Sequence, residues 1–456
     1  MQIRNIGSRR EPFVDDWLID RIRGVELRLH QPTPRNVILR FNKAWEGSTC
    51  CYTTAFRDGE VVRLYYRGSD FDPKAGRIRR QVYCYAESKD GIRWKRPDLG
   101  LHASDGSKKN NIVWTGEGSH NFAPFKDANP DCKPSERYKA LGGSRKRGGL
   151  FAFKSKDGIH WDYLRKRPVI TEGKFDSQNL AFWDAARGRY ADFHRHSGGP
   201  EPDAPRRRNI MTCESQDFLH WTEPHWVDFG DAPVEHLYTN AVTPFPGCEH
   251  ILVGFPKRFV PNRKRNEEDK GGVSDGVFMS SRDGLHWKRW TEAFIRPGLL
   301  RDAWFNRNNM PGWGLVLTKA DRGDEPELSM YVTEGYYTPR CRLRRYTLRQ
   351  DGFVSVHAGG SRGEFVTHPL KFEGARLTMN FATSAAGSVR VEIRGKDNKP
   401  LPGYGLRDCP PIYGDSLNEQ VSWKDGGDVS KLAGKPVRLR FVLEDADLYA
   451  VQFREQ

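Results

Sequence analysis

The sequence has few cysteines, and none of them forms a recognisable motif. Eight cysteines are spread over 456 residues, and no Cys-x-x-Cys pair is present. A disulfide scaffold would need a denser set, and a structural zinc site would need paired ligands. We therefore expect neither a disulfide framework nor a bound zinc ion, and no residue is assigned to a metal.

Long hydrophobic runs are also missing. No apolar stretch approaches the ~20 residues that a helix needs to cross a bilayer, and residues 1–10 lack the apolar core of a signal peptide. We expect a soluble protein without a membrane partner. A secreted or periplasmic location, with a signal peptide already removed, is the expectation, and the cytoplasm is the alternative.

The spacing of apolar residues typical of helices is absent as well, which excludes a helical solenoid. Aromatic residues make up 12% of the chain, and 45 glycines and 28 prolines are spread along it. Frequent turns and large aromatic side chains are typical of sheets. The composition predicts an all-β fold with room for one large and one smaller domain.

The chain carries an excess of positive charge. Lysine and arginine number 74 against 59 acidic residues, which gives a net charge of +15. Such a balance indicates an anionic partner, for example a sulfated or uronic polysaccharide, or else a basic surface without that role. No stripe of basic residues interleaved with aromatics is present, so we do not expect nucleic-acid binding.

One heptapeptide recurs along the chain. Ser-Lys-Asp-Gly-Ile-His-Trp at 155–161 has similar segments at 88–94, 215–221 and 281–287, and a degenerate, shorter copy at 351–353. The aspartates of these copies are separated by 67, 60, 66 and 68 residues. A fixed period predicts one structural unit that is repeated.

The repeated segment has the chemistry of a tight turn. Its serine and aspartate can accept hydrogen bonds from neighbouring backbone amides, and its glycine supplies a positive φ. Its tryptophan offers a large apolar face for packing. Short alternating runs precede each copy and predict strands, so the turn closes a hairpin and its aspartate is structural.

About four strands in each period of ~65 residues predict a five-bladed β-propeller over residues 41–360. Residues 1–40 are predicted to be a lead-in packed on the propeller. The repeat then stops, and alternating strands over residues 361–456 predict a small β-sandwich.

The candidate site follows from this geometry. The first strand of each blade lines the central axis, so the residues just before these strands meet at one mouth of the channel. They are rich in acids, amides, histidine and tyrosine, a mixture that suits sugar hydroxyls and rings and acid–base catalysis. The candidate acids are Glu46, Asp176, Glu235 and Glu334, and the candidate substrate-binding residues are His120, Asn121, Gln178, His236, Tyr238, Asn240, Arg307 and Asn308.

On these residues the chain resembles the five-bladed propeller glycoside hydrolases, the arabinanase and β-xylosidase family with its invertase-like relatives, in an uncharacterised bacterial branch. The arabinanase pattern has catalytic carboxylates at three blade heads. The resemblance implies that Asp176, in Phe-Asp-Ser-Gln-Asn at the third head, orients the acid and tunes its pKa. It implies that Glu235, 59 residues later at the fourth head, is the general acid.

The first blade head departs from that pattern. The family has a base aspartate there, whereas this chain has Cys51-Tyr52. Glu46 is the nearest acid, and Asp15 or Asp16 could be delivered by the lead-in. The invertase signature Asn-Asp-Pro is also missing.

Each candidate acid has a structural alternative. Asp176 could cap a turn, Glu235 could pair with a nearby arginine, and Glu334 could pair with Arg344. Glu46 could support the packing of Trp45.

The sequence therefore predicts a glycoside hydrolase that cleaves a glycosidic bond in a plant or algal polysaccharide or oligosaccharide, including an anionic one. Two alternatives stay open. A non-catalytic glycan-binding propeller is favoured by the missing first-head aspartate, and a sialidase-like enzyme is suggested by the Asp-box character of the repeated turn. No cofactor is required, a structural calcium ion on the axis stays open, and the oligomeric state is not predicted.

Overall fold

The structure, a computed structural model, describes residues 3–201, 203–264 and 271–455. Within these ranges the regular elements are β-strands and four short 3-10 helices, so the predicted all-β class is confirmed. No helix in the described ranges is long and apolar enough to span a membrane. The chain divides into two compact units, one of residues 32–347 and one that combines residues 1–31 with 348–456.

Residues 32–347 contain five antiparallel sheets of four or five strands, here called sheets I to V. Their strands are Cys51–Asp58, Val61–Asp72, Arg77–Ser88 and Ile112–Trp114 in sheet I; Ala123–Lys126, Tyr138–Ser144, Gly149–Ser155 and Asp162–Tyr163 in sheet II; Leu180–Asp184, Arg189–Ser197, Arg208–Ser215 and His225–Trp226 in sheet III; Thr243–Phe245, Cys248–Gly254, Met279–Ser281 and Trp287–Arg289 in sheet IV; and Met310–Pro311, Val316–Lys319, Pro326–Glu334, Arg342–Arg349 and Thr33–Arg40 in sheet V.

A smaller three-stranded sheet extends from the loops of the fourth repeat. It consists of His236–Leu237, Lys257–Val260 and Val273–Gly276. The 3-10 helices are Pro134–Glu136, Arg145–Arg147, Arg301–Ala303 and Ser430–Leu432.

The repeated turn is built as its sequence predicts. In the first copy, Ser88 Oγ accepts the amide hydrogens of Asp90 and Gly91, at 3.2 and 2.8 Å. The Asp90 carboxylate accepts the next two amides, each at 2.8 Å. The other three full copies repeat these bonds. Glycine takes the positive φ in three copies, and Phe218 takes it in the remaining one, at 66°.

Tyrosines link these turns to neighbouring sheets. The Tyr65 hydroxyl of sheet I donates to the carbonyl oxygen of Gly158, in the turn of sheet II, at 2.8 Å. The Tyr331 hydroxyl of sheet V makes the same bond, also at 2.8 Å, to Gly91 in the turn of sheet I. The last sheet therefore contacts the first in the same way as the first contacts the second.

The second unit is organised by one ten-stranded sheet. Its core includes Phe13, Phe365 and Phe441, with ring centroids 5.4 and 4.8 Å apart for the successive pairs. Its strands are Arg4–Gly7, Glu11–Pro12, Ile19–Arg23, Glu26–Leu29, Val354–Ala358, Gly363–Thr367, Leu370–Phe372, Arg376–Gly395, Asp415–Gln420 and Val437–Arg454.

The lead-in is placed differently from the expectation. Four of its strands pair within the second unit, for example Glu26–Leu29 with Val354–Ala358 and Ile19–Arg23 with Gly363–Thr367. The strand Thr33–Arg40 alone joins sheet V, through Arg342–Arg349. The physical reason is that the C-terminal strands present unpaired backbone groups, which the N-terminal strands satisfy. The boundaries therefore fall at residues 31/32 and 347/348 rather than at 40 and 360.

Candidate active site

Asp176 lies in the loop before the first strand of sheet III. Its Oδ1 is 3.0 Å from Nε2 of His120, and its Oδ2 is 3.6 Å from Nη1 of Arg195. The hydrogen bond from His120, together with nearby positive charge, holds the pKa of Asp176 well below its usual value. With 65% of its side chain exposed, Asp176 is an ionised carboxylate that a ligand can reach.

The tautomer of His120 follows from its second contact. Its Nδ1 is 3.2 Å from Nη1 of Arg67. A guanidinium can only donate, so Nδ1 is the acceptor and the ring proton is on Nε2, facing Asp176. Burial lowers the pKa of His120, which keeps the ring neutral. Arg67 is itself buried and donates to the Tyr336 hydroxyl at 2.8 Å.

Two tyrosines meet beside this pair. The hydroxyls of Tyr52 and Tyr238 are 2.6 Å apart, and both side chains are buried. The Tyr52 ring packs edge-on against His120, with centroids 5.6 Å apart. Burial raises the pKa of both phenols, so both are protonated near neutral pH. One hydroxyl proton is used in the mutual hydrogen bond, and the other is available for a second hydrogen bond.

Cationic groups surround Tyr238. Lys257 Nζ lies 4.5 Å from the ring centroid, and the guanidinium carbons of Arg195 and Arg208 lie 5.4 and 5.6 Å from it. Lys257 is 1% exposed, and its Nζ contacts Asn306 Oδ1 at 3.5 Å. Burial, reinforced by the neighbouring arginines, lowers the pKa of Lys257 well below its usual value.

Arg307 adds a further positive charge. Its guanidinium carbon lies 5.8 Å from the Tyr336 ring centroid and 5.3 Å from that of Tyr337. Its electrostatic influence reaches both Tyr238 and Lys257. Arg195, Arg208, Lys257 and Arg307 are called the cation cluster below.

The backbone at this site is strained. Tyr52, Arg307 and Tyr337 have φ values of 53°, 69° and 67°, in the left-handed region that bulky side chains avoid. Each such residue costs about 1–3 kcal/mol, and such residues concentrate at functional sites.

A cleft of about 680 Å³ opens at Asp176, His120 and Arg195. Arg145, Lys146 and Lys174 also line it. One of its two acids, Glu117, is paired with Arg147 at 2.7 Å. The cleft is therefore predominantly positive.

Glu46 and Glu334, predicted as catalytic candidates, are engaged inside the protein. The Glu46 carboxylate is buried and accepts from the Tyr66 hydroxyl at 2.6 Å and from Arg96 at 2.8 Å. Glu334 is buried between Arg342 and Arg344, at 2.7 and 2.9 Å. The pairing of Glu334 with Arg344, given above as its structural alternative, is therefore observed.

Glu235 faces a different cavity from Asp176. Its oxygens contact Arg258 at 3.2 Å and Arg289 at 2.6 Å. The cavity, of about 720 Å³, is lined by Glu235 and Arg289 but not by Asp176. The structure does not bring these two predicted acids into one cleft.

The predicted amide ligands bind the backbone of the protein. Asn121 donates to the carbonyl oxygens of Phe175 and Ser177, at 2.6 and 3.0 Å. Gln178 donates to the Thr53 carbonyl at 3.2 Å, Asn240 to the Phe193 carbonyl at 3.0 Å, and Asn308 accepts the Tyr336 amide at 2.8 Å. These side chains hold the loops at the heads of the sheets. His236 similarly accepts the Arg208 amide at 3.2 Å and packs against Phe259.

One group among the described residues has the composition of a metal site: Asp192, His194 and Cys213 in sheet III. Calcium prefers oxygen ligands, and this set supplies only one carboxylate, so it does not fit calcium. Asp192 Oδ2 is 2.5 Å from His194 Nδ1 and 3.5 Å from Cys213 Sγ, which are the contacts of a hydrogen-bonded trio. Burial raises the pKa of Asp192 and of Cys213, which favours their protonated forms.

Sequence reasoning missed most of the cation cluster. Arg195 and Arg208 lie in the second and third strands of sheet III, and Lys257 lies in the small sheet, so none stands at a blade head. Tyr52 could have been found, because it occupies the first-head position where the resembled family has an acid.

The comparisons with known proteins come from solved structures. No family model and no curated protein sequence matches. A structure titled "Glycoside hydrolase" is 15% identical, with 72% of this chain and 95% of that chain covered and a TM-score of 0.48. A structure from a study of GH130 glycoside hydrolases that target beta-1,2 mannosidic linkages in Candida mannan is 14% identical, with 74% and 96% covered and a TM-score of 0.43. The catalytic domain of a Coprinopsis cinerea GH62 alpha-L-arabinofuranosidase is 9% identical, with 70% and 97% covered and a TM-score of 0.42.

Proposed function

We propose that the protein is a glycoside hydrolase whose active site consists of Asp176, His120, Tyr52 and Tyr238. The observation that carries this proposal is an ionised carboxylate, Asp176, that is exposed at a cleft, with its partner His120 packed against one of a pair of buried, protonated phenols. Glycosidic bond cleavage needs a group that accepts a proton or stabilises positive charge and a group that donates a proton to the leaving oxygen.

We further propose that sheets I to V form the five blades of a closed propeller and that the second unit is a β-sandwich. The strand Thr33–Arg40 completes sheet V, which would join the two ends of the ring. The contact of Tyr331 with Gly91 supports the same closure.

In this proposal Asp176 accepts the proton of the attacking water or stabilises the developing positive charge at the anomeric carbon. His120 positions Asp176, because its Nε2 proton is directed at the carboxylate by the Arg67 contact on the other ring nitrogen. Tyr238, with Tyr52, donates a proton to the leaving oxygen. Glu235 is assigned a structural role, since both of its oxygens are engaged by arginines.

A second candidate is a non-catalytic glycan-binding protein. The observation that favours it is that Asp176 is not joined by a second candidate acid: Glu46, Glu235 and Glu334 each contact arginine instead. A sialidase-like mechanism, with Tyr238 as nucleophile, is favoured by the arginines near its ring.

The test is a screen of neutral and anionic plant and algal oligosaccharides for products, with Asp176→Asn and Tyr238→Phe as variants. We expect turnover in the wild-type protein and its loss in both variants. Asp157→Asn, in a repeated turn away from the cleft, is the control and should stay active. Binding without any turnover would favour the glycan-binding candidate. A trapped covalent sugar on Tyr238 would favour the sialidase-like one.

A further inference from the structure

Among the residues that the structure describes, Arg208, Lys257 and Arg307 of the cation cluster lack the carboxylate partner that two buried cations of the same unit have. Lys139 is paired with Asp127, and Arg345 is paired with Glu327 at 2.6 Å. In contrast, no carboxylate among the described residues lies within 4.0 Å of Arg208, Lys257 or Arg307. Lys257 is buried, and Arg208 and Arg307 are half-buried. Holding positive charge at such positions without a partner is costly, which is why the pKa of Lys257 is lowered, and an anion from outside the chain would offset this cost.

The donors of the cluster also lack sufficient acceptors. The Nε atoms of Arg195 and Arg208 are buried and have no hydrogen-bond partner among the described residues. Lys257 Nζ, with three possible donors, has a single long contact to Asn306 at 3.5 Å. Buried donors of this kind are normally satisfied, and oxygen atoms of a ligand would satisfy them here.

Asp176, the acid of this site, already contacts other residues and does not neutralise the rest of the cation cluster. Asp176 is held by His120 and lies 3.6 Å from Arg195. This leaves Arg208, Lys257 and Arg307 for the ligand. Arg195, which is beside Asp176, and two of the remaining cations, Arg208 and Lys257, all contact the Tyr238 ring.

The chemistry of these donors defines the ligand. Planar guanidinium groups bind the oxygens of carboxylates and sulfates through paired hydrogen bonds, and an ammonium group adds a point charge. A neutral glycan would leave the charges unmatched.

We propose that Arg208, Lys257 and Arg307 form a subsite for an anionic substituent, a carboxylate or a sulfate, on the sugar bound next to Asp176. This inference rests on the proposed function and specifies its substrate class. The carboxylate of a uronic acid and a sulfate ester share the required chemistry, and the experiment separates them.

The experiment measures binding by titration calorimetry with two matched pairs of glycans. One pair is tetragalacturonate and its carboxyl-reduced form, and the other is a sulfated galactan tetrasaccharide and its desulfated form. We expect one anionic member to bind at least about tenfold more tightly than its neutral partner, as charge-assisted hydrogen bonds predict. This preference should weaken as salt is raised, because salt screens charge.

The variants Arg208→Gln, Arg307→Gln and Lys257→Met should each reduce the affinity for that anionic glycan by about tenfold or more, while the affinity for its neutral partner changes little. Lys257→Met preserves side-chain volume in a buried position, and circular dichroism of each variant checks the fold. Arg93→Gln is the matched control, because it removes an exposed arginine in the turn of sheet I.

Equal binding of the charged and neutral members, no binding of either anionic glycan, or a preference that survives in all three variants would overturn the inference. Cleavage of a neutral glycan without any preference for charge would overturn the subsite but leave the proposed hydrolase intact. Tight binding of an anionic glycan without cleavage would support the subsite but overturn the proposed hydrolase.

Discussion

Replacing Asp176 with alanine should separate catalysis from stability. The substitution removes a carboxylate that is 65% exposed and that contacts His120 at 3.0 Å and Arg195 at 3.6 Å. Exposed ion pairs contribute about 0–1 kcal/mol, so the free energy of unfolding should change by no more than that. If Asp176 acts as the base, kcat/KM should fall by about 10²–10⁴, which corresponds to roughly 3–5 kcal/mol in the activation barrier.

A variant in the repeated turn serves as a control that should lose stability but keep its activity. The Asp157 carboxylate accepts amide hydrogens from Ile159 at 2.9 Å and His160 at 2.8 Å, and a hydroxyl hydrogen from Ser155 at 3.1 Å. At about 0.5–1.5 kcal/mol for each of these three hydrogen bonds, Asp157→Ala should destabilise the protein by about 1.5–4.5 kcal/mol. Its kcat/KM should not change at temperatures where the protein is folded.

The two variants are compared by urea unfolding at one pH and by initial rates on the substrate found in the screen. The urea midpoint reports stability, and an unchanged slope shows that the same surface is exposed on unfolding. The reasoning is refuted if Asp176→Ala keeps wild-type kcat/KM, or if it loses as much stability as Asp157→Ala.

Three further predictions follow from particular contacts. Tyr238→Phe should lower kcat by about 10², because it removes the hydroxyl that would protonate the leaving oxygen, with little change in circular dichroism; an unchanged kcat in initial-rate assays would exclude this role. Glu334→Ala should destabilise the protein by about 3–5 kcal/mol in urea unfolding, because it removes the carboxylate that pairs with buried Arg342 and half-buried Arg344; a loss below about 1 kcal/mol would contradict the assigned structural role. Burial raises the pKa of Asp58, but hydrogen bonds from Lys126, Tyr138 and Arg63 outweigh it and lower the pKa to about 2. The unfolded chain therefore binds the proton first, and the stabilisation from Asp58, complete above about pH 4, should be lost as the pH falls towards 2. Urea midpoints at pH 6 and 3 should differ less in Asp58→Asn than in the wild type, and equal differences would refute the assignment.

The local features of the fold were predictable because they depend on residues close together in the chain. The serine, aspartate and tryptophan of each repeated turn contact atoms within three residues of themselves. The same spacing in Ser-x-Asp-Phe allowed the turn to be recognised at Phe218, although that residue had to adopt a positive φ.

The candidate site was predictable only in part. Asp176, His120, Tyr238 and Arg307 lie at the heads of the sheets, where the period of the repeat directs attention, and the structure brings them together. Glu46 and Glu334 were predicted by the same reasoning, yet their side chains pair with Arg96 and Arg342 inside the protein. Asn121 and Asn240 were expected to bind sugar but bind backbone carbonyls, because a buried loop must satisfy its polar groups.

The sequence by itself determined the all-β class, the repeated hairpin turn and the positions from which a site could be built, since each depends on local periodicity and turn chemistry. Only the tertiary structure decided that residues 1–31 pair with the C-terminal strands, and that Arg195, Arg208 and Lys257 surround Tyr238. The reason is physical. Strand pairing and charge clustering depend on which distant segments meet, and a side chain in the middle of a strand carries no local sign of the partner that it will face.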